Sequence, residues 1–98
     1  MDDNRIRTAL GFAMRAGKCI SGDFACERAV KDHKAFAVAL DSLVSQATRE
    51  KYVRICERAN VPLVFITNLG RAIGKDNRMT AAVTDAAFAE MIKKAIDA

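Results

Sequence analysis

Two hydrophobic periods alternate along this chain, and together they limit what it can fold into. Residues 61–67, VPLVFIT, form an unbroken apolar run, β-branched and aromatic. Such a run suits a strand covered on both faces. Pro62 stands at its start, where a missing N–H is tolerated. Residues 4–16 carry the other period. Ile6, Ala9, Leu10, Ala13 and Met14 recur at i, i+3, i+4, i+7 and i+8 and mark one face of a helix. Asp3 or Asn4 is expected to cap that helix, and Gly17 to end it in a left-handed conformation. Gly11 inside it costs about 1 kcal/mol against Ala. That cost suggests a place where a neighbouring element comes close.

The alternation continues. KCIS, 18–21, reads as a short strand, and Gly22-Asp23 opens a second helix with Cys26, Ala29 and Val30 inward. KDHK is a polar break. AFAVALD, 35–41, reads as a buried strand. Ser45 begins a third helix, which ends at Asn60. Its inner face carries Tyr52, Ile55, Cys56 and Ala59. Its outer face carries Arg49, Lys51, Arg54 and Arg58, with Glu50 and Glu57 between them. MTAAVT, 79–84, is another strand. Thr84 or Asp85 caps a last helix with Phe88, Met91, Ile92, Ala95 and Ile96 toward the core. This order implies an α/β protein: a three-layer α/β/α sandwich with a roughly four-stranded central mixed sheet. Residues 1–98 suffice for one domain.

Composition narrows the class. The chain is 51% hydrophobic and 29% charged, a soluble globular profile. No apolar run approaches the ~20 residues of a membrane span. The start, MDDNRIR, lacks the basic-then-apolar order of a signal peptide, so a cytoplasmic location is expected. Cys19, Cys26 and Cys56 show no CxxC spacing and read as buried reduced thiols, not a zinc set. The net charge of +4 favours anionic partners such as nucleic acid.

Catalytic chemistry finds little support. A Walker loop needs G-x-x-x-x-G-K-[ST]. In NLGRAIGKDNRM, 68–79, Gly70 and Gly74 are separated by three residues, and Asp76 follows Lys75 where a hydroxyl is required. His33 is the only histidine and lies in a charged break. No partner for acid–base or nucleophilic work is indicated, and no metal-ligand cluster or cofactor motif occurs.

Two binding features remain. SGDF, 21–24, places a glycine at a strand-to-helix junction, where unpartnered amides carry partial positive charge. In the second, Leu69, Ala72 and Ile73 form a short helical turn, with Leu69 and Ile73 as anchors. Gly74 ends the turn. Lys75, Asn77 and Arg78 follow as an exposed tip, with Arg71 projecting nearby. Cations suit phosphates, and Asn suits base edges. In an α/β sheet such loops gather at the strand ends, so Gly22 and Asn77 are expected to be neighbours. Each feature alone is also compatible with an ordinary helix start or a solvated turn.

At this point the chain resembles a known family. The stretches LGFAMRAGK, the SG helix start, VPLVFIT and LGRAIGKDNRM before AAVTD resemble the L7Ae/L30e ribosomal-protein family, in its small bacterial YlxQ-like branch. The resemblance covers residues 4–96. It implies the three-layer fold, residues 1–98 as a single RNA-binding-type domain, and binding to structured RNA, often kink-turns or internal loops, without catalysis or cofactors. By position it assigns RNA contact to Gly22, Arg28, Gly70, Gly74, Lys75 and Arg78, and the two features themselves add Asp23, Phe24, Arg71 and Asn77 as candidates. The implied partner is ribosomal RNA or a ribonucleoprotein, with no membrane or DNA role. One departure stands out. Kink-turn binders usually carry G-x-N-E at the helix start, where Asn-Glu contacts sheared guanine–adenine pairs. Here Phe24-Ala25 occupies those places and cannot supply the polar contacts, a loss of about 1–3 kcal/mol of discrimination per contact. Phe24 either packs in the core or, if exposed, stacks on an unpaired base. The competing reading is a protein-interaction module that keeps the fold but has lost kink-turn recognition.

Overall fold

The computed structural model describes residues 1–98. Nine elements follow in the expected order: α1 (Asp3–Arg15), β1 (Cys19–Ser21), α2 (Asp23–Lys31), β2 (Ala37–Asp41), α3 (Gln46–Ala59), β3 (Leu63–Ile66), α4 (Leu69–Ile73), β4 (Thr80–Val83) and α5 (Ala86–Asp97). Their ends obey local chemistry. Asp2, not Asp3 or Asn4, caps α1. It still has extended backbone, and its carboxylate accepts the Arg5 N–H at 3.2 Å, whereas Asp3 is already helical. Gly17 is left-handed at φ +72°. Its N–H donates to Met14 O at 3.1 Å, and Lys18 N–H donates to Ala13 O at 2.8 Å. These two bonds satisfy carbonyls that would otherwise be orphaned. Ser45 and Asp85 cap α3 and α5, and Asn60 closes α3 in the left-handed region.

The sheet order is β1-β4-β2-β3. β4 runs antiparallel to both β1 and β2, while β2 and β3 are parallel, so the sheet is mixed. The strands are shorter than the apolar runs. Ala35 N–H turns back to Ala29 O at 3.1 Å to finish α2, which delays β2 until Ala37.

Side chains alternate between two cores. Ala37, Ala39, Val64, Ile66, Ala81 and Val83 meet α1, α4 and α5 on one face. Val38, Leu40 and Ala82 meet α2 and α3 on the other. The result is an α/β/α sandwich. Fully burying an Ile or Leu such as Ile6, Leu10 or Ile92 contributes about 1.5–3 kcal/mol. Gly11 sits where anticipated: a Cβ there would lie 3.2 Å from Ala72 O, so α1 and α4 pack closely. On α5 the phase differs slightly from expectation. Ala89 is buried and Met91 is 46% exposed, because the core stripe is centred on Ala89, Ile92 and Ala95.

The topology decides where a site forms. The pairings Ser21↔Ala81, Leu40↔Thr80 and Asp41↔Ile66 bring the carboxyl ends of β1, β2 and β3 beside the start of β4. The helices α2, α3 and α4 all begin at this edge. No helix is long and apolar enough to cross a membrane.

Candidate nucleic-acid interface

Gly22 links β1 to α2 with φ +101° and ψ 141°, a region that residues with a Cβ avoid. Its N–H donates to Thr80 O at 3.1 Å, extending the β1–β4 ladder by one bond. A Cβ at Gly22 would stand 2.7 Å from Arg78 Nη1. The Arg78 guanidinium therefore lies directly against the Gly22 backbone, and the helix start and the loop before β4 form one surface.

The loop is built as the sequence suggested, and more tightly. Leu69 and Ile73 are buried and hold α4 against the core. Gly74 is left-handed at φ +71°, and Asn77 is left-handed at φ +68°. Lys75 N–H donates to Gly70 O at 2.9 Å, and Arg78 N–H to Lys75 O at 3.3 Å. Gly70 permits this fold-back: a Cβ there would be 2.7 Å from Lys75 O and 3.4 Å from Asn77 N. Arg71, Lys75 and Arg78 are exposed, and the structure's ion pairs involve none of them. Asp76 is the one anion among these loop residues, which remain net cationic.

Asp41 holds the edge together. It is 5% exposed at the end of β2, and its two carboxylate oxygens accept the N–H groups of Leu43 and Leu69, each at 2.9 Å. One side chain thus fixes both the β2–α3 loop and the start of α4. As the last residue of the AFAVALD strand, Asp41 carries no sequence signal for this role.

Asp23, the first residue of α2, faces α3. Lys51 Nζ reaches both of its oxygens at 2.8 Å, and the buried Tyr52 hydroxyl donates to its Oδ1 at 2.8 Å and lies 2.9 Å from its carbonyl oxygen. The Lys51 hydrogen bond holds the Asp23 carboxyl below the usual carboxylate range. Glu27 joins the network through Lys31 at 2.7 Å and Lys51 at 3.0 Å, and those two lysines lower its pKa in that order. Burial pushes the Tyr52 phenol up, reinforced by its bond to Asp23. The network fixes the first turn of α2 and neutralises its acidic side chains.

The exposed face of that turn is different. Phe24 is 79% exposed and Ala25 is exposed. Arg28, one turn further on, is also exposed and carries only a 3.4 Å pair with Asp32. Next to this turn lies a cleft of about 290 Å³, lined among others by Gly22, Asp23, Asn77, Arg78 and Leu43, the last of which is 83% exposed. Ser45 and Thr48 also line this cleft. The structure thus unites Gly22, Asp23, Asn77 and Arg78 and sets Phe24 and Arg28 on the adjoining helix face. Gly70 and Gly74 shape the loop. Arg71 and Lys75 are exposed on it but do not line the cleft.

Other candidates carry less. A shallow depression of about 660 Å³ follows the outer face of α3, but Arg49, Glu50, Arg54 and Glu57 alternate in charge along it. Arg49 there stacks over the Phe65 ring at 4.2 Å. The three cysteines are free and buried. Burial pushes the Cys19 thiol up to about 12, and Cys26 and Cys56 up to about 11, which removes the reactive thiolate at neutral pH. His33 is exposed in a left-handed turn.

Comparison with known proteins agrees with this architecture. The sequence model of the ribosomal protein L7Ae/L30e/S12e/Gadd45 family matches residues 4–92. The RNA-binding protein YlxQ of Bacillus subtilis (strain 168) is 34% identical over 91 residues, covering 90% of this chain and 91% of that protein. The solved structure of a Bacillus halodurans protein of unknown function superposes with a TM-score of 0.89 at 31% identity, covering 95% of this chain and 97% of that one. A Giardia lamblia 15.5 kD RNA binding protein shares the fold, with a TM-score of 0.81 at 18% identity over 96% of this chain and 83% of that one. This chain belongs to the ribosomal protein L7Ae/L30e/S12e/Gadd45 family.

Proposed function

We propose that this protein is a non-enzymatic, cytoplasmic RNA-binding protein, ribosomal or ribosome-associated. It recognises structured RNA, a kink-turn-like element or an internal loop, through the start of α2 and the loop between α4 and β4. The observation that carries this reading is the contact between Arg78 and the Gly22 backbone. It joins a helix N-terminus to a cationic loop free of ion pairs. Phosphates meet Arg78 and Lys75 on this reading, and the Asn77 amide and the α2 amides meet base edges or sugars. Family membership and the RNA-binding relative support it.

A second reading, a protein-interaction module, is favoured by Phe24 and Ala25 standing where polar recognition groups are expected. One experiment separates the two. Crosslinking in cells followed by sequencing of bound RNA is expected to give a specific ribosomal or leader-RNA peak. A flat background overturns the RNA reading and supports the protein module.

A further inference from the structure

Two exposed apolar side chains, Phe24 and Leu43, stand at this edge of the molecule. The buried face of α2 is made by Cys26, Ala29 and Val30. Phe24 lies off that stripe and keeps 79% of its surface exposed. Single exposed apolar residues are ordinary. Here a second one, Leu43 at 83%, lines the cleft that starts at Gly22 and Asp23, next to Phe24 in the chain. The surroundings are cationic and polar. Arg28 follows Phe24 at i+4, which puts both on one strip of the helix. Arg78 and Asn77 line the cleft, and its one carboxylate, Asp23, is already bound by Lys51 and Tyr52. A purely apolar partner would leave Arg78, which forms no ion pair, without a counter-charge. A nucleotide has use for both features, because its base offers an apolar π-face and its phosphate an anion.

Resting on the RNA-binding reading above, we infer that Phe24 is a stacking platform for an unpaired nucleobase, with Leu43 in the adjoining cleft and the flanking phosphates on Arg28 and Arg78. The preferred ligand is RNA with a base free to leave the helix. Base stacking at Phe24 takes the place of the side-chain edge contacts that an Asn-Glu pair would make at the start of α2.

The test uses an RNA hairpin with one unpaired 2-aminopurine in an internal loop, and the same hairpin with that base paired. Binding by the full chain is expected to quench the unpaired probe and to favour the unpaired hairpin. Phe24→Ala is expected to weaken that binding by about 5- to 150-fold and abolish the quench, with an unchanged salt slope. Phe24→Trp is expected to retain both, and Phe24→Leu to lose the quench. All three changes are at an exposed position, so folding is not at issue. Unchanged affinity in Phe24→Ala, or a quench that survives it, overturns the platform and leaves Phe24 as a protein contact. A parent protein that binds neither hairpin overturns the RNA-binding reading itself.

Discussion

Replacing Gly70 by Ala tests how the cationic loop is held. Gly70 has no left-handed backbone, so the perturbation is purely one of space. The new Cβ would sit 2.7 Å from the Lys75 carbonyl oxygen, with Asn77 N at 3.4 Å and Arg78 N at 3.5 Å. Ordinary carbon contacts lie near 3.5 Å, so the first approach is short by roughly 0.5–0.8 Å. Its neighbours are backbone atoms and cannot swing aside as a side chain does. The Lys75 carbonyl must move, and it is the acceptor for Arg78 N–H. Overpacking of this kind costs about 1–3 kcal/mol. Ala returns up to about 1 kcal/mol of helix propensity in α4. The net loss is about 0–2 kcal/mol, which lowers Tm by up to about 16 °C in a domain this small. The larger effect falls on function, because Lys75, Asn77 and Arg78 shift together. Thermal melts followed by circular dichroism report the first effect, and fluorescence anisotropy with a structured RNA reports the second. Gly74→Ala is the control. It has open space around the Cβ and a φ of +71°, so it costs about 1–2 kcal/mol of backbone strain without pushing the loop. If Gly70→Ala binds RNA as the parent does, the loop is not held by this contact and the reasoning fails.

Two further outcomes follow from the geometry. Asp41→Ala leaves the Leu43 and Leu69 N–H groups without their acceptor, which predicts a loss of about 2–4 kcal/mol in urea melts, whereas Asp41→Asn keeps one acceptor and loses less. Asp23 and Glu27 have folded pKa values below their ordinary ones. The folded state therefore binds fewer protons there, and the stability they add is present above pH ~4 and lost as pH falls through the depressed values. Thermal melts are expected to show that acid decline, and Lys51→Met is expected to flatten it.

Much of this molecule is legible locally. VPLVFIT and residues 35–41 announce covered strands because a sheet packed on both faces demands continuous apolar side chains. Gly17, Asn60 and Gly74 mark the ends of helices because each takes the left-handed backbone there. Leu69 and Ile73 betray α4 by their spacing. What local reading misses depends on topology or on helix phase. Leu43, Ser45 and Thr48 join the cleft only because β4 inserts between β1 and β2, and no nearby residue encodes that order. Asp41 reads as the polar end of a strand, yet it is buried because two loops need the same acceptor. Met91 outranks Ala89 in hydropathy, but the position of Ala89 on the helix puts it inward. The exposure of Phe24 is also a matter of phase, fixed once Cys26 and Val30 take the core.

On the proposed function, the Gly22 helix start and the α4–β4 loop act as one RNA-contacting surface. The most direct measurement is a salt titration of RNA affinity for the parent and for Lys75→Ala/Arg78→Ala. Both side chains are exposed, so the variant is expected to fold. Each phosphate contact adds about 0.7–0.9 to the slope of log affinity against log salt. Weaker binding and a slope flatter by roughly 1.5 are expected for the variant. Equal affinity and equal slope at every salt concentration would contradict the shared surface.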